Sequence, residues 1–282
     1  MRRTDGRLRG IRRSLAALAS RAPGAAWRWI RAAPGTYVWL LLLAVTSLIV
    51  TQIKPASLDW FLAKRSTNLE QLRSRPVHAL VASAIWTERA DFFFYFVVFN
   101  LFHVPAERWL GTRRWLTVAL TAHVLATLIS EGVVAWGVET GRLSPSLSDT
   151  VDVGVSYALA GVQGVLTYRL AGGRWRLLYG GAVLTFYLVP LAVSHTFTDL
   201  GHFCAVLIGL SFHRMTRGRP TWDPAEAWRG LRRRLRPRPP APPPAPPPAP
   251  PPAPPSGPPS APPSGRADST GPADGPGPAD AV

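Results

Sequence analysis

Ser156 and His202 are the side chains in this 282-residue sequence whose types and placement could do covalent chemistry together. A serine hydroxyl is a weak nucleophile until a neighbouring base takes its proton, and an imidazole near its ordinary pKa suits that task. Ser156 lies in a largely apolar stretch from Asp152 to Gly164, where Ser156, Ala160 and Gly164 fall at i, i+4 and i+8 and so share one helical face. A face built of small side chains lets another helix approach at backbone distance, which is how helices associate once lipid has removed the hydrophobic drive. Gly201, Ala205 and Gly209 repeat the spacing beside His202. His202 itself stands about 100° round the helix from that row. Two smooth rows could therefore bring hydroxyl and imidazole to one seam. The same serine could instead serve packing, with its hydroxyl bonded to its own helix backbone.

The elements that must position this pair are membrane helices. Residues from about 37 to 213 are rich in Leu, Val, Ala, Phe and Trp, and six apolar segments fall within them, near 37–53, 91–104, 115–137, 151–170, 177–193 and 197–213. Several are shorter than the roughly 20 residues that cross a hydrocarbon core. The expected fold is all-α, a polytopic bundle of six transmembrane helices. Six spans put both termini on one side. The N-terminal segment, the turns near 108–114 and 169–176 and the chain after 213 hold 25 of the 32 cations, so that side is expected to be cytoplasmic. Ser156 would then lie roughly 8 Å beneath the outer face, with His202 about as many residues into its own span. In the long first loop, 54–90, Thr67-x-x-Glu70 reads as a helix-capping box. After Pro76, the residues Val77, Leu80, Val81, Ala84 and Ile85 mark the apolar face of an interfacial helix, with Trp86 at headgroup depth.

Composition narrows the function. A net charge of +16 could serve nucleic acid, but the cations gather in the loops of one side, which is membrane topology, and no nucleic-acid partner is expected. Cys204 is the single cysteine and no His-Glu-x-x-His motif occurs, so neither a disulfide framework nor a metal site is expected, and no cofactor. Residues 1–36 carry nine Arg with Leu8, Ile11, Leu15 and Leu18 between them, as in a basic helix on an anionic leaflet or a solvated basic tail. No small-residue cleavage site follows, so the first span is expected to be a retained anchor. Residues 214–282 turn from basic to Pro/Ala-rich, a disordered tail that could act as a spacer or bind the aromatic-lined groove of a partner protein. Among the remaining polar residues, Asp152 could hold a water or a substrate amide, or mark the interface. Glu131 in the third span needs a partner if buried. His103 and His123 could pair with each other, and Asn100 and Gln163 suit interhelical hydrogen bonds.

Three stretches resemble a known family. Gly154-Val155-Ser156-Tyr157-Ala158-Leu159-Ala160-Gly161 is similar to the fourth helix of the rhomboid intramembrane serine proteases, with its Gly-x-Ser-Gly motif. Leu200-Gly201-His202, with Gly209 seven residues on, looks like their sixth helix, and Glu107-Arg108-Trp109-Leu110-Gly111 resembles the signature that closes their second. The resemblance spans approximately residues 37–213 and implies a membrane-embedded protease, without cofactor or metal, that cuts the helices of other membrane proteins near the membrane surface. It implies Ser156, which Gly154 precedes by two residues, as nucleophile and His202 as base; on the residues alone, His202 could instead simply be satisfied by Asp199, three residues earlier on the same face.

The pattern departs from the family at three places. Tyr157 stands where the motif has its second glycine. The family's second helix supplies a His and an Asn, four residues apart, that help stabilise the oxyanion; counting back from Glu107 those places hold Asp91 and Tyr95. A tyrosine hydroxyl could donate to an oxyanion, whereas an aspartate would repel one, and loss of one donor typically costs ~10²- to 10³-fold in rate. The Trp-Arg dipeptide of the family's first loop is not evident. The expected function is peptide-bond hydrolysis in the plasma membrane of a bacterium through a Ser156–His202 dyad. The alternative is a catalytically inactive relative that binds membrane-protein clients. A transporter fits less well, because neither inverted repeats nor paired broken helices occur.

Overall fold

The computed structural model describes residues 23–24, 26–87, 92–152 and 154–235, and among them the chain is helical, with no strand. Three helices are long and apolar enough to cross a bilayer: α1, Pro34–Thr51; α7, Thr112–Glu139; and α9, Gly173–Ser194. The other apolar segments form shorter or interrupted helices. Phe92–Val98 (α5) runs through a π-turn, Phe99–His103, into Val104–Leu110 (α6). Pro105 explains the interruption, because it has no N–H to give the carbonyl one turn back. Val155–Leu166 (α8) and Phe197–Ser211 (α10) span 12 and 15 residues. Asp91, the basic residues 1–22 and the Pro-rich residues beyond 235 lie outside the described residues.

α8 is the axis of the bundle. Nearly every side chain on it is buried, packed between α7 and α10. Glycine makes the approach possible on both sides. A Cβ on Gly161 would collide with Ala122 of α7, and one on Gly209 would collide with the Gly161 carbonyl. The row Gly201, Ala205, Gly209 faces α8, as its spacing predicts. The α8 side of that seam is made by Tyr157, Ala160, Gly161 and Gly164, rotated by about one residue from the predicted Ser156, Ala160, Gly164. Serving two partners at once fixes the rotation: Gly161 must clear Ala122 as well as Ala205.

The first loop folds into three short helices, α2 (Pro55–Ala63), α3 (Leu69–Ser74) and α4 (Pro76–Ser83). The capping-box reading is corrected by one residue. Asn68 is the N-cap of α3, its Oδ1 accepting from Gln71 N at 3.0 Å, while Thr67 turns inward and donates its backbone N–H to Asp152 O at 3.2 Å. α4 forms where Pro76 and the apolar spacing predict, but it buries Ala79, Ala82 and Ser83 and leaves Val77 and Val81 exposed. In lipid that inversion is expected, since small residues make the helix contact and larger aliphatic ones face outward. Beyond α4, the carbonyls of Ala84 and Ile85 accept from Trp39 Nε1 (2.7 Å) and Thr46 Oγ1 (2.6 Å) of α1. Trp86 packs edge-on against Phe61, with the Arg65 guanidinium over both rings.

One end of the bundle is basic and tightly stitched. Gly111 turns α6 into α7 at φ +84°, a conformation that favours glycine. There the buried Glu107 carboxylate closes the N-terminus of α1, accepting from Gly35 N (2.9 Å), Thr36 N (2.7 Å), Thr36 Oγ1 (2.7 Å) and Thr112 Oγ1 (2.7 Å). The chain after α10 continues across this end. Trp109 Nε1 donates to Pro220 O at 2.8 Å, and Trp222 exchanges backbone hydrogen bonds with Arg169 and Ala171 at 2.7 and 2.9 Å. The last helix among the described residues, Pro224–Leu235 (α11), follows. The basic composition of this stretch hid it: Trp228, Leu231 and Leu235 recur on one side of a helix whose other side is arginine.

Candidate functional site

α8 and α10 start at the end of the bundle opposite the basic one, and their first turns lie side by side. Ser156 occupies the first turn of α8 and is half-buried. His202, in the second turn of α10, is half-buried too, and its ring meets Tyr157 edge-on with centroids 4.9 Å apart. On its other side lies Tyr187 of α9, stacked at 5.7 Å and 28°. The structure thus brings His202 to the residue adjoining Ser156 and clamps it between two tyrosines. Tyr157 fills the space on the seam that Gly201 leaves open, for a Cβ there would overlap its ring.

The hydroxyl of Tyr157 donates to Asp152 Oδ2 at 2.8 Å. Asp152 is buried, and its backbone carbonyl accepts from Thr67 N, which ties the first loop to the entrance of α8. Glu131 of α7 is buried close enough to interact electrostatically with both Asp152 and Tyr157, and its Oε1 has no hydrogen-bond partner among the described residues. The polar lining here therefore includes two carboxyl groups and a phenol, with the hydroxyls of Ser130 and Thr67 beside them. The sequence picked out Asp152 and Glu131 singly; that they share this neighbourhood depends on a loop contact and a helix rotation that no spacing encodes.

The remaining predicted residues fall as follows. Gly154 is the N-cap of α8 and lies flush against the His123 imidazole, leaving no room for a Cβ. Asp199 serves its own helix: Thr196 Oγ1 donates to its Oδ2 at 2.6 Å and accepts from its N–H at 3.1 Å. Tyr95 belongs to the aromatic core with Phe99 and Trp39. His103 and His123 bond to separate partners, which corrects the expectation that they pair: Trp115 Nε1 donates to His103 Nδ1 at 3.1 Å, and His123 Nε2 bonds the Leu80 carbonyl at 2.9 Å. Asn100 and Gln163 do bridge helices. Tyr37 OH donates to Asn100 Oδ1 at 2.7 Å, and Gln163 accepts from Tyr179 and Tyr187 of α9 at 3.2 and 2.7 Å. Among the described residues no group of His, Cys, Asp and Glu has the arrangement of a metal site.

A sequence model of the family described as rhomboid-like protein matches residues 28–222, most of the chain. No curated protein and no solved structure matches it.

Proposed function

The chain belongs to the rhomboid-like protein family, and from that premise we propose that it is a membrane protein which engages the helices of other membrane proteins without cutting them. The observation that carries this reading is the Tyr157 arrangement. The position beside Ser156 holds a ring packed on His202, and its hydroxyl is committed to the buried Asp152. An acyl-transfer site needs donors aimed at the developing oxyanion. The polar groups gathered here include two carboxyls, Asp152 and Glu131, which disfavour negative charge. α9 supplies a surface for a client: of its 22 residues only Gly180 is buried, leaving Leu177, Phe186, Val189 and Val193 exposed.

The second reading is the serine endopeptidase with Ser156 as nucleophile and His202 as base. The contact between His202 and the neighbour of Ser156 favours it, since it sets both residues at one level of the bundle. In either case we propose six spans, α1, α5–α6, α7, α8, α9 and α10, in a bacterial plasma membrane, with the basic end and both termini in the cytoplasm. A fluorophosphonate probe applied to the detergent-purified full chain separates the two readings. No labelling, together with capture of a reporter helix that Ser156→Ala leaves unchanged, is the expected result. Labelling of the wild type that Ser156→Ala abolishes would establish the protease instead.

A further inference from the structure

The basic end carries a cleft of about 520 Å³ whose walls include Trp29, Arg108, Trp109, Arg169, Pro220 and Trp222. Its walls are fixed by the contacts already described, Trp109 Nε1 to Pro220 O and Trp222 N to Arg169 O. Arg108 lies over the Trp29 ring, 4.2 Å from its centroid. Arg169 lies in the turn after α8, and burial, with the nearby positive charge of Arg108, holds it below the usual guanidinium value. Neither arginine pairs with a carboxylate among the described residues. The ion pairs among the described residues are Lys64–Glu70 and Arg73–Glu139, and the acid next in sequence, Glu107, is occupied by the N-terminus of α1 and Thr112. Among the described residues, two cations share a cleft with no ion-paired anion to answer them.

We propose that this cleft binds the phosphodiester of an anionic phospholipid headgroup, with Arg108 and Arg169 as its ligands. Guanidinium groups present paired N–H donors that match phosphate oxygens, and the stacked Trp29 ring orients one of them in advance. Three tryptophans on the walls suit the junction of headgroup and hydrocarbon, the depth at which tryptophan concentrates. α11 argues for lipid over free phosphate. It leaves the cleft at Pro224 with Trp228, Leu231 and Leu235 exposed along one side, and Arg229, Arg233 and Arg234 on the other. That distribution suits a helix lying on an anionic leaflet. This site makes no use of Ser156, His202 or the client surface, so it stands whichever reading of those residues holds.

The test is thermal unfolding of the full chain in neutral detergent with added dihexanoyl phosphatidylglycerol, dihexanoyl phosphatidylcholine or inorganic phosphate. Phosphatidylglycerol should raise the melting temperature of the wild type more than phosphatidylcholine does at equal concentration, and phosphate alone should fall short of it. Arg108→Gln/Arg169→Gln should weaken the apparent affinity for phosphatidylglycerol by roughly tenfold or more. Without lipid, the double variant should melt close to the wild type, because it removes a repulsion and the Arg108 contact with Trp29 but no ion pair. Equal stabilisation by the two lipids would overturn the proposal, as would a double variant that keeps the full phosphatidylglycerol response. Saturation by phosphate alone would reassign the cleft to a soluble anion. A lipid-free double variant melting well below the wild type would make the arginines structural. The phosphatidylglycerol preference of the wild type is decisive even if the variant cannot be purified.

Discussion

Two buried carboxylates set the residue-scale expectations. Glu107 accepts four hydrogen bonds, three from the first turn of α1 and one from Thr112. Glu107→Gln would turn an amide N–H₂ toward donors, leaving at least one buried group unsatisfied. A loss of about 2–3 kcal/mol is expected, read as a lower melting temperature in detergent; an unchanged midpoint would refute the capping role. Tyr157→Phe removes the donor to Asp152 and should cost about 1–3 kcal/mol while leaving the ring on His202. If that variant melts like the wild type, the phenol is not what satisfies Asp152. Glu107 stood out in the sequence as part of a short motif, but its partners did not, because Gly35 and Thr36 lie 72 and 71 residues away and are reached through backbone N–H groups that any residue carries. His202 was legible as an intramembrane histidine near a serine. Its two tyrosine neighbours were not: Tyr187 comes from a different helix, hydrogen-bonded to Gln163, and Tyr157 stands out in the sequence only as a departure from the glycine of the family motif.

At the scale of elements, the close approach of α8 and α10 rests on backbone meeting backbone. Gly209→Leu would drive a branched side chain into the Gly161 carbonyl and should destabilise the bundle by roughly 1–3 kcal/mol, with a fall in detergent melting temperature as the readout. Gly181 has open space where a Cβ would stand, so Gly181→Leu serves as the control and should be close to neutral. Equal effects at the two positions would refute the packing argument. Small-residue rows were readable from spacing alone, because a 3.6-residue period forces i and i+4 onto one side. The rotation of α8 within its seam was not, since it is a compromise between α7 and α10 that neither row specifies alone. α4 shows the same limit: its apolar spacing located the helix but not its orientation, because lipid accepts the larger side chains that water would reject.

At the scale of the molecule, apolar segments and arginine placement made a helical membrane protein legible, while the basic turn-and-helix after α10 was lost against its charged composition. The proposed orientation can be checked with a membrane-impermeant maleimide, because Cys204 is the sole cysteine and Cys204→Ser supplies a blank background. Ser146→Cys, in the 3₁₀ turn between α7 and α8, should label in intact cells, and Arg217→Cys only after permeabilisation. The reverse pattern would invert the topology. α9 differs mechanically from every other long helix here. It is held by little apolar burial, and its hydrogen bonds to α8 from Tyr179 and Tyr187 both end on Gln163. A helix with so little burial, its outer flank open to lipid, can answer the thickness of the surrounding bilayer by changing its tilt. α9 would then act as the compliant wall of an otherwise rigid bundle, so the same chain would present a different opening beside His202 in thin and in thick membranes.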